Sequence, residues 1–164
     1  MKLLHPVRVA RIAALPPGFE ELAADALADG QRMLEVLQGD WQAGTLRFDA
    51  PGEALFAAWA GEALLGIGGL TRDPYLKGEA AGRVRRVYVR RAARRHGAGR
   101  ALVGAIAAGT RAAGWARLRV RAPVAAFAFY EGCGFLRAIG EAAATHMLPV
   151  EQGAGVMFRV PGIR

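Results

Sequence analysis

Cysteine is almost absent from this 164-residue chain, whose only thiol is Cys133. One cysteine excludes a disulfide framework within the chain, and three scattered histidines, at positions 5, 96 and 146, lack the spacing of metal ligands. A run of ~18 apolar residues, the length that crosses a membrane, is also missing, and the apolar start is too short for a signal peptide. We therefore expect one cytoplasmic domain over residues 1–164 that binds neither metal nor membrane.

Acidic residues are missing from a long internal stretch. From Ala80 to Tyr130 there are twelve arginines but no Asp or Glu, so this segment carries +12. The whole chain carries +8, which leaves −4 for the rest. A positive charge this localised indicates a polyanionic partner rather than general solubility, although a solvated basic face is the simpler alternative.

The usual helix-capping residues are absent from the centre of that stretch. No Ser, Thr, Asp or Asn occurs from Arg90 to Leu102, although the pattern predicts a strand at Val84–Val89 and a helix from about Arg100. Gly97 and Gly99 would leave the first N–H groups of that helix accessible, and the helix dipole adds partial positive charge there. Such a strand, glycine loop and helix are typical of a phosphate-binding site, although an ordinary glycine-rich turn has the same pattern.

Two sequence motifs occur in this region. Val89–Gly99 reads V-x-x-x-x-R-x-x-G-x-G, and Ala126–Phe135 reads A-x-x-F-Y-x-x-x-G-F. The first resembles the acetyl-CoA signature V-x-P-x-x-R/Q-x-x-G-x-G/A of the GNAT superfamily of N-acetyltransferases, and the second resembles the second motif of that superfamily. The departures are Arg91, where the family often has Pro, and Pro123, where it often has Asn. The resemblance implies an enzyme that uses acetyl-CoA as acyl donor.

The GNAT resemblance implies an α/β (α+β) fold with a mixed, mostly antiparallel sheet of six to seven strands. A central parallel pair of strands splays apart in that fold, and helices cover both faces. The residue patterns fit this order, with strands at 7–12, 54–60, 63–70, 84–89 and 117–121 and helices at 19–27, 31–42, 100–113 and after Pro123. Further strands are predicted at 135–139 and 143–150, while Val156–Val160 is either the true last strand or a tail.

The resemblance also implies which residues form the site. Tyr130 stands where these enzymes commonly keep a Tyr that protonates the departing thiolate or hydrogen-bonds the sulfur, and the Val89 N–H is the expected oxyanion donor. Cofactor contacts are expected from Val87, Tyr88, Val89, Arg94, Arg95, His96, Gly97, Ala98, Gly99, Arg100, Ala101 and Tyr130. The implied reaction moves an acetyl group from acetyl-CoA to a primary amine of a small molecule or protein by direct attack in a ternary complex.

The general base is not defined by the sequence. Arg83 lies at the position where many members of the superfamily hold a catalytic Glu, and an arginine cannot deprotonate an ammonium group. Glu53, Asp73, Glu79 and His146 are the alternatives, and none is favoured over the others.

The arginines before the loop bear on the acceptor. Arg83, Arg85 and Arg86 indicate an amine that also carries a carboxylate or phosphate, which a guanidinium binds in bidentate fashion. Glu79, four residues before Arg83, is a further candidate for contact with the substrate. Alternatively, the arginines only contribute to the basic field that attracts CoA. In GNAT proteins the first helices wall the acceptor site, so Arg32 or Trp41 could face substrate, although Trp41 is better explained as a core residue.

Two other functions stay open. The Arg at the usual Glu position is compatible with a catalytically weak GNAT-fold module that binds acyl-CoA as a sensor. A nucleic-acid-binding domain would also use the arginines, but the segment's aromatics fall mainly on a predicted helix rather than on a stacking platform. The resemblance to GNAT proteins suggests a homodimer. The sequence defines neither the acceptor amine nor the preferred acyl chain.

Overall fold

A computed structural model describes residues 2–150. The first half of the chain contributes an edge strand, two helices and a hairpin. These elements are β1 (Val7–Ile12), α1 (Phe19–Ala28), α2 (Met33–Ala43), β2 (Ala54–Ala60) and β3 (Ala63–Arg72). Gly18 before α1 and Gly44 after α2 both have left-handed backbones, which lets the chain turn sharply at these helix ends.

The second half holds the region with the two motifs. Its elements are β4 (Gly82–Val89), α3 (Ala98–Ala112), β5 (Arg117–Val120), α4 (Phe127–Gly132), β6 (Leu136–Arg137) and β7 (His146–Pro149). Short 3₁₀ turns at Arg91–Ala93 and Val124–Ala126 precede α3 and α4.

The described strands form one seven-stranded sheet in the order β1-β2-β3-β4-β5-β7-β6. All neighbours are antiparallel except β4 and β5, which run parallel because α3 carries the chain back between them. The predicted mixed and mostly antiparallel fold is therefore confirmed. Among residues 2–150, no helix combines the length and the apolar character that a membrane crossing requires.

Each face of the sheet buries its own apolar core. Leu22 of α1 and Leu34 of α2 pack with Ile67 and Tyr88 on one face. Ile106 of α3 packs with Val84, Leu118, Tyr130 and Phe135 on the other face. The helices thus cover both sides of the sheet, as predicted, and we refer below to the α1–α2 face and the α3–α4 face.

The last strands are shorter than the predicted ranges 135–139 and 143–150. Gly140 and the non-glycine Ala143 both have positive φ, at 78° and 60°. A backbone hydrogen bond from Ala138 to Thr145 closes the turn around them. The chain reverses here, so only two residues remain for β6 and four for β7. The predicted strand or tail at Val156–Val160 lies outside the described residues.

Candidate active site

The site lies where the parallel strands separate. β4 and β5 pair only at Gly82 with Leu118 and at Arg83 with Arg119. Beyond these pairs the strands diverge around a cleft of about 980 Å³. Residues 83–89 of β4 form one wall, and residues 120–123 at the end of β5 form the opposite one. The splayed central pair expected from the sequence is therefore present.

A β-bulge in β4 accounts for the divergence. Ile67 pairs with Tyr88 and Gly69 with Arg85, so Arg86 and Val87 together oppose the single residue between them on β3. Arg86 has a left-handed backbone with φ 56°. A bulge bends the strand that carries it and increases its local twist. The bend turns β4 away from β5 directly beyond their last pair.

The glycine loop meets this cleft at the start of α3. Gly97 precedes the helix with φ 85°, and no side chain caps the first turn. Gly97, Ala98 and Gly99 all line the cleft. The N–H groups of a first helical turn have no intrahelical partners and lie at the positive end of the helix dipole. This end of the cleft can therefore hold an anion.

Gly99 also has a packing role. A Cβ at this position would lie 3.1 Å from Cζ of Phe129, which itself lines the cleft. The missing side chain lets the α4 aromatic approach the start of α3. The two resembling motifs thus meet at one wall of the site.

Many of the arginines counted in the sequence are neutralised inside the molecule. Among residues 2–150, at least six of the twelve form ion pairs with acidic residues outside the basic segment: Arg83, Arg86, Arg91, Arg94, Arg117 and Arg119. Arg95, Arg100 and Arg121 line the cleft and form no ion pair with residues 2–150. The uncompensated positive charge is therefore smaller than the sequence count suggests and is concentrated at the cleft.

Most residues predicted to contact the cofactor line the cleft. They are Val87, Tyr88, Val89, Arg94, Arg95, Gly97, Ala98, Gly99, Arg100 and Tyr130. His96 and Ala101 do not line it. The Nδ1 atom of His96 lies 2.8 Å from the carbonyl oxygen of Arg94 and 3.2 Å from that of Ala93. The imidazole is thus directed at the backbone of its own loop.

Tyr130 stands on the α4 side of the cleft, and only 6% of its surface is exposed. Its ring packs edge-on against Phe129 and Phe135, with centroids 5.0 and 5.3 Å away. Burial raises the pKa of the Tyr130 phenol above its ordinary value, and Cys133 adds to the rise. The phenol is therefore neutral at physiological pH and can donate a proton or a hydrogen bond.

The backbone of β4 directs one N–H group into the opening. The Arg90 N–H donates to the carbonyl oxygen of Leu65 on β3 at 2.7 Å. Successive N–H groups of an extended strand point to opposite sides, so the Val89 N–H points away from β3 and toward the cleft. It is placed to donate to an oxyanion formed between the strands.

The residues considered for the acceptor separate into two groups. Arg83, Arg85 and Arg86 line the cleft, whereas Glu79 does not. Glu79 instead accepts two hydrogen bonds from the guanidinium of Arg117, at 2.8 and 3.0 Å. Its side chain is thus held in an ion pair outside the cleft.

None of the residues considered as general base lines the cleft. Asp73 is buried against arginines, and His146 is buried with its Nε2 atom 3.2 Å from Glu131. Among the described residues, Asp29 is the one carboxylate that lines the cleft, together with Gln31 and Met33 from the connection between α1 and α2.

Asp29, Gln31 and Met33 were not predicted as site residues, although the first helices were expected to wall the acceptor side. Arg32 lies beside them in the sequence but pairs with Glu35 on the surface. Trp41 packs against the α1–α2 core. Between residues 2 and 150, no group of three His, Cys, Asp or Glu side chains could hold a metal ion.

The model of the acetyltransferase (GNAT) domain family matches residues 23–149. The chain belongs to the GNAT acetyltransferase family. No curated protein matches it in sequence.

Solved structures share the fold. A candidate acetyltransferase from Exiguobacterium sp. 255-15 is 29% identical, with a TM-score of 0.74 over 87% of this chain and 93% of that one. A candidate GNAT-family acetyltransferase from Desulfovibrio desulfuricans is 20% identical, with a TM-score of 0.67 over 88% and 99% of the two chains. Glucosamine-6-phosphate N-acetyltransferase from Arabidopsis thaliana is 15% identical, with a TM-score of 0.57 over 81% and 93%.

Proposed function

We propose that this protein transfers an acetyl group from acetyl-CoA to a primary amine by direct attack in a ternary complex. The observation that carries the proposal is the single cleft that passes between β4 and β5. It is lined by the uncapped start of α3 and by α4 on one side, and by the α1–α2 connection on the other. Donor and acceptor can therefore enter from opposite faces of the sheet and meet at the opening.

The donor's diphosphate would bind the N–H groups of Gly97, Ala98 and Gly99. Arg95 and Arg100 lie beside these groups, line the same cleft and form no ion pair with residues 2–150. Helix N-termini bind phosphate through free N–H groups and the helix dipole, and arginine adds charge-assisted hydrogen bonds. The pantetheine arm would then extend along the edge of β4 at Val87–Val89, which pairs with no strand of residues 2–150 on the cleft side.

The reacting thioester would lie between Val89 and Tyr130. The Val89 N–H would stabilise the tetrahedral oxyanion, and the neutral Tyr130 phenol would donate a proton to the departing thiolate. The neutral amine would form the C–N bond by adding to the thioester carbonyl, and collapse of the tetrahedral adduct would then break the C–S bond. The proton of the amine nitrogen would pass to water, because the cleft offers no unpaired carboxylate among residues 2–150. Asp29, which does line it, accepts a hydrogen bond from Arg94.

One alternative function is supported by a specific observation. Asp29 is already paired and Arg83 occupies the position of the family's catalytic Glu, so a module that binds acyl-CoA without turnover is the second candidate. The nucleic-acid alternative loses support, because at least six of the twelve arginines are neutralised internally.

The test is calorimetric titration of the protein with acetyl-CoA, comparing Gly97→Glu with Gly104→Glu. Gly97 borders the free N–H groups, whereas Gly104 is an exposed glycine within α3 with no atom near its Cβ position. We expect the natural protein to bind acetyl-CoA with a micromolar Kd, which corresponds to a binding free energy of about −8 kcal/mol. Gly97→Glu should lower this affinity by at least about tenfold, whereas Gly104→Glu should leave it unchanged.

Absence of binding to the natural protein would refute the proposal. Release of CoA thiol on addition of amines would then separate the enzyme from the sensor. Binding without release from any amine tested would favour the sensor.

A further inference from the structure

Four arginines on the splayed strands form two layers on the α1–α2 face of the sheet. Arg83 and Arg119 are directly paired in the parallel register, and both reach the carboxylate of Asp73. Side chains alternate along a strand, so the next residues on the same face are Arg85 and Arg121. In the continued register these two oppose each other, at the point where the strands have begun to separate.

The guanidinium groups of the first layer, Arg83 and Arg119, are bound by other residues of the chain. The Nη1 atoms of Arg119 and Arg83 lie 2.9 and 3.5 Å from Oδ2 of Asp73. The two guanidinium groups also donate to the carbonyl oxygens of Ala142 and Ala143. Asp73 and Arg119 are completely shielded from solvent. This layer therefore joins the strands, and Asp73 gives both of its guanidinium groups a carboxylate partner.

The second layer has arginines without a carboxylate. Arg85 donates to the Thr71 hydroxyl at a long 3.4 Å, and neither Arg85 nor Arg121 forms an ion pair with residues 2–150. Both line the cleft. Burial lowers the pKa of Arg85, and the charges of Arg86 and Arg83 lower it further. A half-buried guanidinium beside two others is in an unfavourable field that an anion would relieve.

The remaining charges around Arg85 do not supply that anion. Asp40 on α2 acts electrostatically on Arg85, but its carboxylate lies 3.6 Å from Arg86, with which it pairs. Asp29, which lines the cleft, pairs with Arg94. Tyr75 stacks on Arg83, with the guanidinium carbon 4.6 Å from the ring centre. Within residues 2–150, Arg85 and Arg121 of the second layer thus lack a carboxylate partner like the one that Asp73 provides to the first layer.

We propose that the acceptor amine carries a carboxylate or phosphate group that binds between Arg85 and Arg121. This inference rests on the proposed acetyl transfer and specifies its acceptor class. The anion would sit on the α1–α2 side of the opening, directly above the Asp73 layer. The amine would extend along the cleft toward Val89 and Tyr130, while the donor's phosphates occupy the glycine loop on the other side.

The test measures binding of inorganic phosphate to the acetyl-CoA complex, in which the glycine loop is already occupied. We expect a saturable site whose affinity falls about tenfold or more in Arg85→Gln and in Arg121→Gln, since each loses a charge-assisted hydrogen-bond donor. Arg8→Gln is the matched control. Arg8 stacks on Trp59 at the far side of the sheet, with its guanidinium carbon 4.5 Å from the ring centre, and does not line the cleft.

No phosphate binding to the complex, or equal binding in the Arg85→Gln and Arg121→Gln variants, overturns the inference. Competition experiments then show which anionic group the site prefers. Displacement of the bound phosphate by 4-aminobutyrate and by 2-aminoethyl phosphate is compared with displacement by butylamine, which carries no anionic group. Stronger displacement by either charged amine supports the site and shows which group it prefers, whereas equal displacement by butylamine contradicts it. Failure of acetyl-CoA itself to bind would be a separate result, which refutes the proposed function.

Discussion

Arg94 donates a 2.6 Å hydrogen bond to the carboxylate of Asp29, which lies just after the end of α1. The Nε atom of Arg94 also donates to the carbonyl oxygen of Val89. One turn earlier in the chain, Asp25 accepts from the Tyr88 phenol at 2.6 Å and from the Arg91 backbone. The arginine of the first motif therefore holds the glycine loop against α1.

The link between Arg94 and Asp29 is measurable as a coupling energy. We expect a double-mutant cycle of Asp29→Ala and Arg94→Ala in urea unfolding to give about 0.5–1 kcal/mol, the range for partly exposed ion pairs. The matched cycle on Arg32 and Glu35, a more exposed pair on α2, should give about 0.2–0.5 kcal/mol or less. Equal coupling in both cycles would show that the loop is not held by this contact.

Replacement of Tyr130 by Phe removes the proposed proton donor and keeps the ring. We expect kcat to fall by about 100-fold, with little change in acetyl-CoA affinity, because the edge-on contacts with Phe129 and Phe135 remain. Tyr75→Phe is the control, since Tyr75 is 58% exposed and does not line the cleft. Steady-state kinetics would exclude a role for the hydroxyl if both variants kept full kcat.

The raised pKa of Tyr130 also predicts how stability changes with pH. An unfolded chain releases the phenol proton near pH 10, whereas the folded protein retains it because burial raises the pKa. The unfolded state then binds fewer protons, so the free energy of unfolding falls as pH rises above about 10. Urea titrations at about pH 8 and pH 10.5 should show a smaller fall for Tyr130→Phe. An equal fall would mean that this phenol titrates normally.

Asp73→Asn should destabilise the protein strongly. The substitution leaves the buried Arg83 without an ion-pair partner among residues 2–150 and leaves Arg119 with Glu141 alone. Removing one partner of a buried ion pair typically costs about 3–5 kcal/mol. Tm should fall by about 10 °C. Glu79→Gln is the matched change at an exposed pair, where Arg117 retains Glu141, and should cost less than about 1 kcal/mol. Calorimetric scans of both variants test this, and a small loss for Asp73→Asn would contradict the burial argument.

Glycine-to-alanine substitutions should have opposite effects at two positions. A Cβ on Gly66 would lie 2.6 Å from the carbonyl oxygen of Tyr88, so Gly66→Ala forces β3 and β4 apart and should cost about 1–3 kcal/mol. Gly39 lies exposed in α2 with free space around it, so Gly39→Ala should raise the free energy of unfolding by about 0.5–1 kcal/mol. Urea unfolding measures both, and a stable Gly66→Ala would show that the strands separate easily.

Local patterns were enough to predict most of the elements. Alternation at Val7–Ile12 and the apolar stripe of α1 depend only on neighbouring residues, and both elements formed where expected. The uncapped start of α3 was also visible, because it follows from which side chains are absent near Gly97.

Contacts distant in sequence were not predictable in this way. The bulge at Arg86 exists only relative to β3, so the strand pattern of Val84–Val89 does not reveal it. Asp73 and Arg119 are 46 positions apart, and nothing local indicates that the arginine is buried. The charge count consequently overestimated the free positive charge, since it could not identify which arginines have internal partners.

The short pairing between β4 and β5 divides the sheet into two units of unequal stability. Among residues 2–150, the four-stranded part β1–β4 and the three-stranded part β5–β7–β6 share ladder pairing at only two positions, and Asp73 reinforces that point. Local opening follows such boundaries. We therefore expect the amide protons of Leu118–Val120 and His146–Leu148 to exchange as one subglobal unit, which opens while β2 and β3 remain closed.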